Sequence, residues 1–195
     1  FFSFLDLSIK DTTKIMFVSG PAGSTKTYMA VMSALRHLQK DNSLDLLYVR
    51  TAIESADKGL GALPGTIEEK FNPYMAPLED KLDEMLPKTT QVKSDLIKSG
   101  RIQAMPINFL RGANWINKIV VADESQNFTF KELVTLITRI GDNTKLFICG
   151  DRMQSDINGK SGFSEMVKLF NDQESKDKGI HNFKFNENDI FRSEI

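Results

Sequence analysis

Four short apolar runs recur along the chain: Ile15-Met16-Phe17-Val18, Leu44-Asp45-Leu46-Leu47-Tyr48-Val49, Ile119-Val120-Val121-Ala122 and Leu146-Phe147-Ile148-Cys149. Runs this short, rich in branched and aromatic residues, predict strands buried on both faces. Between them the apolar positions fall at helical spacing: Met29, Met32 and Leu35, then Leu78, Leu82, Met85 and Leu86, then Leu133, Leu136, Ile137 and Ile140. Strand alternating with helix predicts an α/β fold in which a parallel sheet carries helices on its faces.

The helix after the third run has marked ends. Thr129-Phe130-Lys131-Glu132 has capping-box spacing and Gly141 follows the last periodic residue, so the helix is expected over Phe130 to Ile140. Phe163, Met166, Val167 and Phe170 predict a further helix, followed by a fifth strand over His181 to Phe185. Residues 51–114 break the short-linker rhythm and hold Pro64, Pro73, Pro77, Pro87 and Pro106. They are expected to be an insertion between core strands, with one or two helices, inside a single domain spanning 1–195.

Composition narrows the function. At 195 residues and 41% hydrophobic, the chain can bury one substantial core. Its 25 basic and 26 acidic side chains leave a net charge of −1, which excludes a molecule wrapped in positive potential and confines any nucleic-acid contact to a local patch. Cys149 is the one cysteine, so no internal disulfide and no cysteine zinc site can form, and two histidines make a His-rich metal site unexpected. A reducing, cytoplasmic setting fits. No apolar run nears the ~20 residues that span a bilayer, and Phe1 to Leu5 lacks the basic flank of a signal peptide, so no membrane association is expected. Opening on Phe1 without a methionine, the chain is expected to be a fragment or a processed product.

The chemistry is concentrated at strand ends. Directly after the first strand comes Gly20-Pro21-Ala22-Gly23-Ser24-Thr25-Lys26-Thr27, and an amphipathic helix follows at once. A strand, a glycine-bearing loop and a helix N-terminus ending in Lys-Thr form the setting of a Walker A loop. Backbone N–H groups and the helix dipole can bind the β- and γ-phosphates of a nucleotide, Lys26 adds a cation, and the Thr27 hydroxyl can ligate Mg²⁺. Thr25 departs from the pattern, which places glycine there so that the backbone can approach phosphate.

The third strand ends in Asp123-Glu124, at the downstream position of a Walker B element. Asp123 can hold Mg²⁺ through water, and Glu124 can take the proton of an attacking water, so the second carboxylate favours hydrolysis. The next strand ends in Cys149-Gly150-Asp151-Arg152-Met153-Gln154, where Gln154 or Asp151 could position that water or sense the γ-phosphate. In parallel sheets the C-terminal strand ends line the ligand crevice, so Gly20, Asp123 and Gly150 should converge. Cys149 lies inside an apolar strand and is expected to be a buried packing residue.

These pieces, with Val49-Arg50, the stretch from Lys58 to Gly65, Leu110-Arg111-Gly112, Asp123-Glu124-Ser125-Gln126 and Gly150-Asp151 with Gln154, resemble the PhoH family of P-loop ATPases over nearly the whole chain. The Asp-Glu-x-Gln and Gly-Asp-x-x-Gln pieces are also similar to motifs of superfamily 1 helicases. The resemblance implies a RecA-like core with the Gly150-ended strand between the phosphate-loop strand and the Asp-Glu strand. It further implies Mg²⁺-dependent ATP hydrolysis, a helicase-like role on single-stranded RNA or DNA, a bacterial or phage origin, and a homo-oligomeric ring with a hexamer as its candidate size. A single core has no second lobe to cover ATP, so an arginine is expected from a neighbouring subunit, Arg192 ahead of Arg139. Lys58, Arg111, Asn114 and Trp115 are candidate polynucleotide contacts, combining cations with a stacking face. Two rivals stand beside this: an assembly module with little turnover because of Thr25, and a phosphotransferase, which Glu124 and Gln154 disfavour.

Overall fold

The computed structural model describes residues 1–51, 67–87, 91–110, 114–154 and 161–190. The chain runs α1 (Phe2–Ser8), β1 (Ile15–Ser19), α2 (Lys26–Lys40), β2 (Asp45–Arg50), α3 (Ile67–Met85), α4 (Val92–Lys98), β3 (Ile102–Pro106), β4 (Lys118–Ala122), α5 (Phe130–Ile137), β5 (Lys145–Gly150), α6 (Phe163–Leu169), α7 (Gln173–Asp177) and β6 (Ile180–Lys184). The six strands form one sheet in the order β3-β2-β4-β5-β1-β6, and every pair is parallel. This is an α/β RecA-like P-loop fold, and β5 lies between β1 and β4 as the resemblance implies.

The period of two along each strand divides the core. Met16, Val18, Leu46, Tyr48, Val121, Phe147 and Cys149 face α1, α2 and α3, while Ile15, Phe17, Leu47, Val49, Val120, Leu146 and Ile148 face α5 and α6. Both faces are covered, which is why the strand sequences read as continuous apolar runs. No helix among the described residues is long and apolar enough to cross a membrane.

Local features depart from the sequence reading. Residues 51–114 hold α3 and α4, and also β3, an edge strand paired with β2. Its signal is weak because exposed Gln103 interrupts the buried positions and Pro106 ends it, a residue that only a sheet edge tolerates. The N-terminal segment folds as α1, with the Phe4 ring among Phe147, Phe183 and Phe185 at centroid distances of 6.2, 5.2 and 5.7 Å. Lys145 Nζ anchors the far end of α1, donating to the carbonyls of Ser8 at 2.6 Å and Lys10 at 2.9 Å.

The capping box of α5 forms as read: Glu132 N donates to Thr129 Oγ1 at 3.3 Å and Thr129 N to Glu132 Oε2 at 2.8 Å. The helix stops at Ile137, three residues before the expected Ile140. There the chain turns to bridge Trp115, with Trp115 N donating to Arg139 O and Gly141 N to Trp115 O, both at 2.8 Å. A Cβ on Gly141 would fall 2.5 Å from that Trp115 oxygen, so the glycine serves a close backbone approach and not the helix cap.

Trp115 is 2% exposed and packs in the core cluster under α5. It offers no face to a stacked base, which corrects its expected role as a polynucleotide contact. Trp115→Ala should therefore cost about 3–5 kcal/mol of stability, the scale for a large aromatic removed from a core, measured as a lower denaturant midpoint.

Candidate functional site

β1 ends at Ser19, and residues 20–25 turn the chain onto the N-terminus of α2. Gly20 is needed there, because a Cβ would fall 2.6 Å from Ser24 Oγ and 2.9 Å from Phe185 Cβ. Ser24 Oγ and Lys26 Nζ both donate to the Pro21 carbonyl at 2.7 Å, so the lysine folds back over its own loop. Thr25 takes the left-handed conformation at φ 59°, as Gly23 does at φ 77°. A β-branched residue is poorly suited to that region, and this is the position where the Walker pattern places glycine. The Thr25 hydroxyl is turned to the Ser24 carbonyl, at 2.7 Å.

β4 carries the acidic end into contact with this loop. Asp123 is 4% exposed, and its carboxylate is shared: Thr27 Oγ1 donates to Oδ1 and Tyr48 Oη donates to Oδ2. Arg50 Nε stands 3.9 Å from the same Oδ2, and Arg50 Nη2 4.0 Å from Glu124 Oε1. Tyr48 and Arg50 are two apart on β2 and so share a face, beside the strand whose end they serve. Burial, and then the Asp123 charge, push the Tyr48 phenol far above its ordinary range, so it is a hydrogen-bond donor.

Glu124 follows in a left-handed conformation at φ 53° that turns its side chain outward, 44% exposed, into the cleft. Its Oε2 accepts from Gln126 Nε2 at 2.6 Å, and Gln126 Oε1 accepts from Asp151 N at 3.1 Å. One side-chain amide thus ties the acidic end of β4 to the polar end of β5. Asp151 is buried and its Oδ1 closes a turn on Met153 N at 2.8 Å, whereas Gln154 is exposed at the cleft rim. Cys149 is fully buried and burial pushes its thiol up, so it is a packing residue.

A cleft of about 890 Å³ gathers Ala22 to Thr27, Asp123, Glu124, Asp151 and Gln154, the three strand ends expected to converge. Asn114, Trp115 and Arg139 lie elsewhere. They join the turn that precedes β4, at the pole where the strands begin, so they are separated from the cleft by the length of the sheet. The half-buried Arg139 has its Nε enclosed without a partner among the described residues, a poor starting point for reaching into a neighbour. Lys58, Arg111 and Arg192 lie outside the described residues. Tyr48, Arg50 and Gln126 are site residues that motif reasoning leaves unassigned. A polar residue at alternate positions near the end of an otherwise apolar strand is the signal that points to the first two.

Comparison with known proteins agrees with this geometry. The family described as "PhoH-like protein" matches residues 5–195. The chain is 35% identical over 164 residues to a "PhoH-like protein" of Mycobacterium tuberculosis (strain H37Rv), covering 83% of this chain and 46% of the relative. It is 36% identical over 159 residues to a "PhoH-like protein" of Bacillus subtilis (strain 168), covering 79% and 49%. With "Protein PhoH" of Escherichia coli (strain K12) it shares 30% over 188 residues, covering 95% and 51%. The chain spans about half the length of the curated relatives it matches.

The left-handed Thr25 makes a stability prediction. Removing its Cβ relieves ~1–2 kcal/mol of backbone strain, and the freer unfolded chain of a glycine takes back ~0.4–1 kcal/mol. Thr25→Gly should thus raise stability by about 0.5–1 kcal/mol, seen as a higher denaturant midpoint at unchanged slope.

Proposed function

The chain belongs to the PhoH family, and on that premise we propose that it is a Mg²⁺-dependent ATPase whose site is the cleft at the ends of β1, β4 and β5. The observation that carries this is the contact between Thr27 Oγ1 and Asp123 Oδ1, which joins the phosphate loop to the acidic strand end. A hydroxyl and a carboxylate oxygen held together are the hard oxygen donors that suit Mg²⁺, which takes few protein ligands and keeps water and phosphate oxygens for the rest. When bound, the ion would neutralise charge building on the phosphate oxygens. Thr27 and Asp123 are the residues that would hold it.

The remaining roles follow from position. Loop amides of residues 20–25 and the N-terminus of α2 cradle the β- and γ-phosphates, and Lys26 leaves the Pro21 carbonyl for the stronger attraction of phosphate. Glu124, aimed by Gln126 and partly exposed, is the general base for water. Gln154 at the rim positions that water or reads the γ-phosphate. Residues 1–195 act as one domain, with 51–114 as an insertion. The family resemblance supports a homo-oligomeric ring in which a neighbouring copy supplies an arginine to the γ-phosphate. For a single-stranded RNA or DNA partner the family resemblance is the support, and stimulation of turnover by an oligonucleotide tests it.

Glu124→Gln should retain ATP while turnover falls by roughly 10²-fold or more, the scale for loss of a general base. Lys26→Ala should lose ATP binding itself. Normal hydrolysis by either variant would remove that residue from its role. A hydrolysis rate in the wild type indistinguishable from buffer, with ATP bound and oligonucleotide present, would favour the assembly module.

The shared site is tested by mixing. Arg192→Ala should bind ATP normally and lose turnover by about 10³-fold, the order associated with an arginine finger. Lys26→Ala subunits, inactive themselves, should restore activity to Arg192→Ala subunits by lending their arginine across the interface. Mixed assemblies without recovery would exclude Arg192.

A further inference from the structure

Asp123 is fixed by β2 twice. Its backbone N–H donates to Val49 O at 2.9 Å, and its Oδ2 accepts from the phenol of Tyr48, the residue before Val49. Tyr48 is paired with Val121 in the β2–β4 register, and Val121 and Asp123 share a face of the sheet, so the phenol meets the carboxylate from the side. The ring is fully buried in the core cluster on that face. A phenylalanine would fill the same space, so the hydroxyl serves the one oxygen it touches. Arg50 Nε, 3.9 Å from that oxygen, is beyond hydrogen-bonding distance, and Tyr48 supplies the one hydrogen bond that Oδ2 receives among the described residues. Oδ1 faces the Thr27 hydroxyl.

Resting on the Mg²⁺ role proposed above, we infer that Tyr48 is a positioning residue that sets the metal preference of the site: by occupying Oδ2 it presents Asp123 through Oδ1 alone, which favours Mg²⁺ over Ca²⁺. The two ions ask different things of a carboxylate. Mg²⁺ binds oxygens at about 2.0–2.1 Å in a strict octahedron, keeps several of its waters and takes few protein oxygens. Ca²⁺ gathers about six to eight oxygens at about 2.3–2.6 Å and readily takes both oxygens of one carboxylate. With Oδ2 held by a buried phenol, Asp123 can give both oxygens to an ion only by breaking that hydrogen bond, which leaves a buried donor unpaired.

The identity of the donor matters as well. A phenol carries no charge, so it orients the carboxylate without cancelling the attraction for a divalent cation, as a lysine or arginine in its place would. Hydrogen bonds of this outer kind orient metal ligands and tune their affinity. Tyr48 does so from a strand interior, where the ring is held on all sides by core packing.

Calorimetric binding of β,γ-imido-ATP in Mg²⁺, in Ca²⁺ and in chelator tests this without any turnover. The metal enhancement is the affinity with the ion divided by the affinity in chelator. The wild type should show a larger enhancement with Mg²⁺ than with Ca²⁺. Tyr48→Phe keeps the ring and deletes the hydroxyl. It should lower the Mg²⁺ enhancement by about 10-fold, the scale for a lost outer hydrogen bond on a metal ligand, lower the Ca²⁺ enhancement by less, and leave the affinity in chelator unchanged. An unchanged ratio of the two enhancements in Tyr48→Phe overturns the inference, because a merely loosened site, or Arg50 closing on the freed oxygen, weakens both ions alike. A wild type enhanced equally by Mg²⁺ and Ca²⁺ overturns it too, and that outcome needs no variant to fold. Absence of any Mg²⁺ enhancement in the wild type would remove the Mg²⁺ reading itself, a result visible before Tyr48 is changed.

Discussion

The site depends on one buried carboxylate. Asp123 leaves water almost completely, and a charged group can do so only with partners on its oxygens. Those partners come from two other elements: the Thr27 hydroxyl at the start of α2, and the Tyr48 phenol on β2 with Arg50 beyond it. The phosphate loop, the acidic strand and its neighbour are thereby held in one geometry. Displacing any of the three would leave the buried charge without one of its partners, which is costly.

Around this fixed centre the backbone is strained at two points, Thr25 and Glu124, both left-handed and neither a glycine. Such conformations persist where the surroundings over-determine them, and both residues line the cleft. At Thr25 the loop turns onto the N-terminus of α2. At Glu124 the chain reverses so that one carboxylate, Asp123, meets Thr27 and Tyr48 and the next, its immediate neighbour, points into the cleft. Gln126 then fixes the second carboxylate and reads the position of β5 through the Asp151 amide. A change at the end of either strand is felt at the other through a single side chain.

The two poles of the sheet do different work. At the strand ends the chain exposes loops, charges and the cleft. At the strand starts it closes on itself: Trp115 is buried beneath the turn that ends α5, and Lys145 ties α1 to β5. Residues that look alike in composition, a tryptophan beside an asparagine or an arginine near a helix end, differ in role because of the pole they occupy.

Much of this was legible in the chain alone. The four core strands could be read because burial on both faces demands continuous apolar runs, and the phosphate loop and the Asp-Glu pair because their chemistry requires fixed residue types at fixed spacing. The start of α5 was visible in Thr129 and Glu132, since a capping box is a local hydrogen-bond pattern. β3, α1, the early end of α5 and the burial of Trp115 were not visible, because each is decided by a partner far away in sequence: β2 for the edge strand, Phe147 and Phe185 for Phe4, and residues 139 to 141 for Trp115. The convergence of Tyr48, Arg50, Thr27 and Gln126 on two adjacent carboxylates is likewise tertiary. Sequence patterns report the periodicity and chemistry of neighbours along the chain, whereas strand order decides which side chains become neighbours in space.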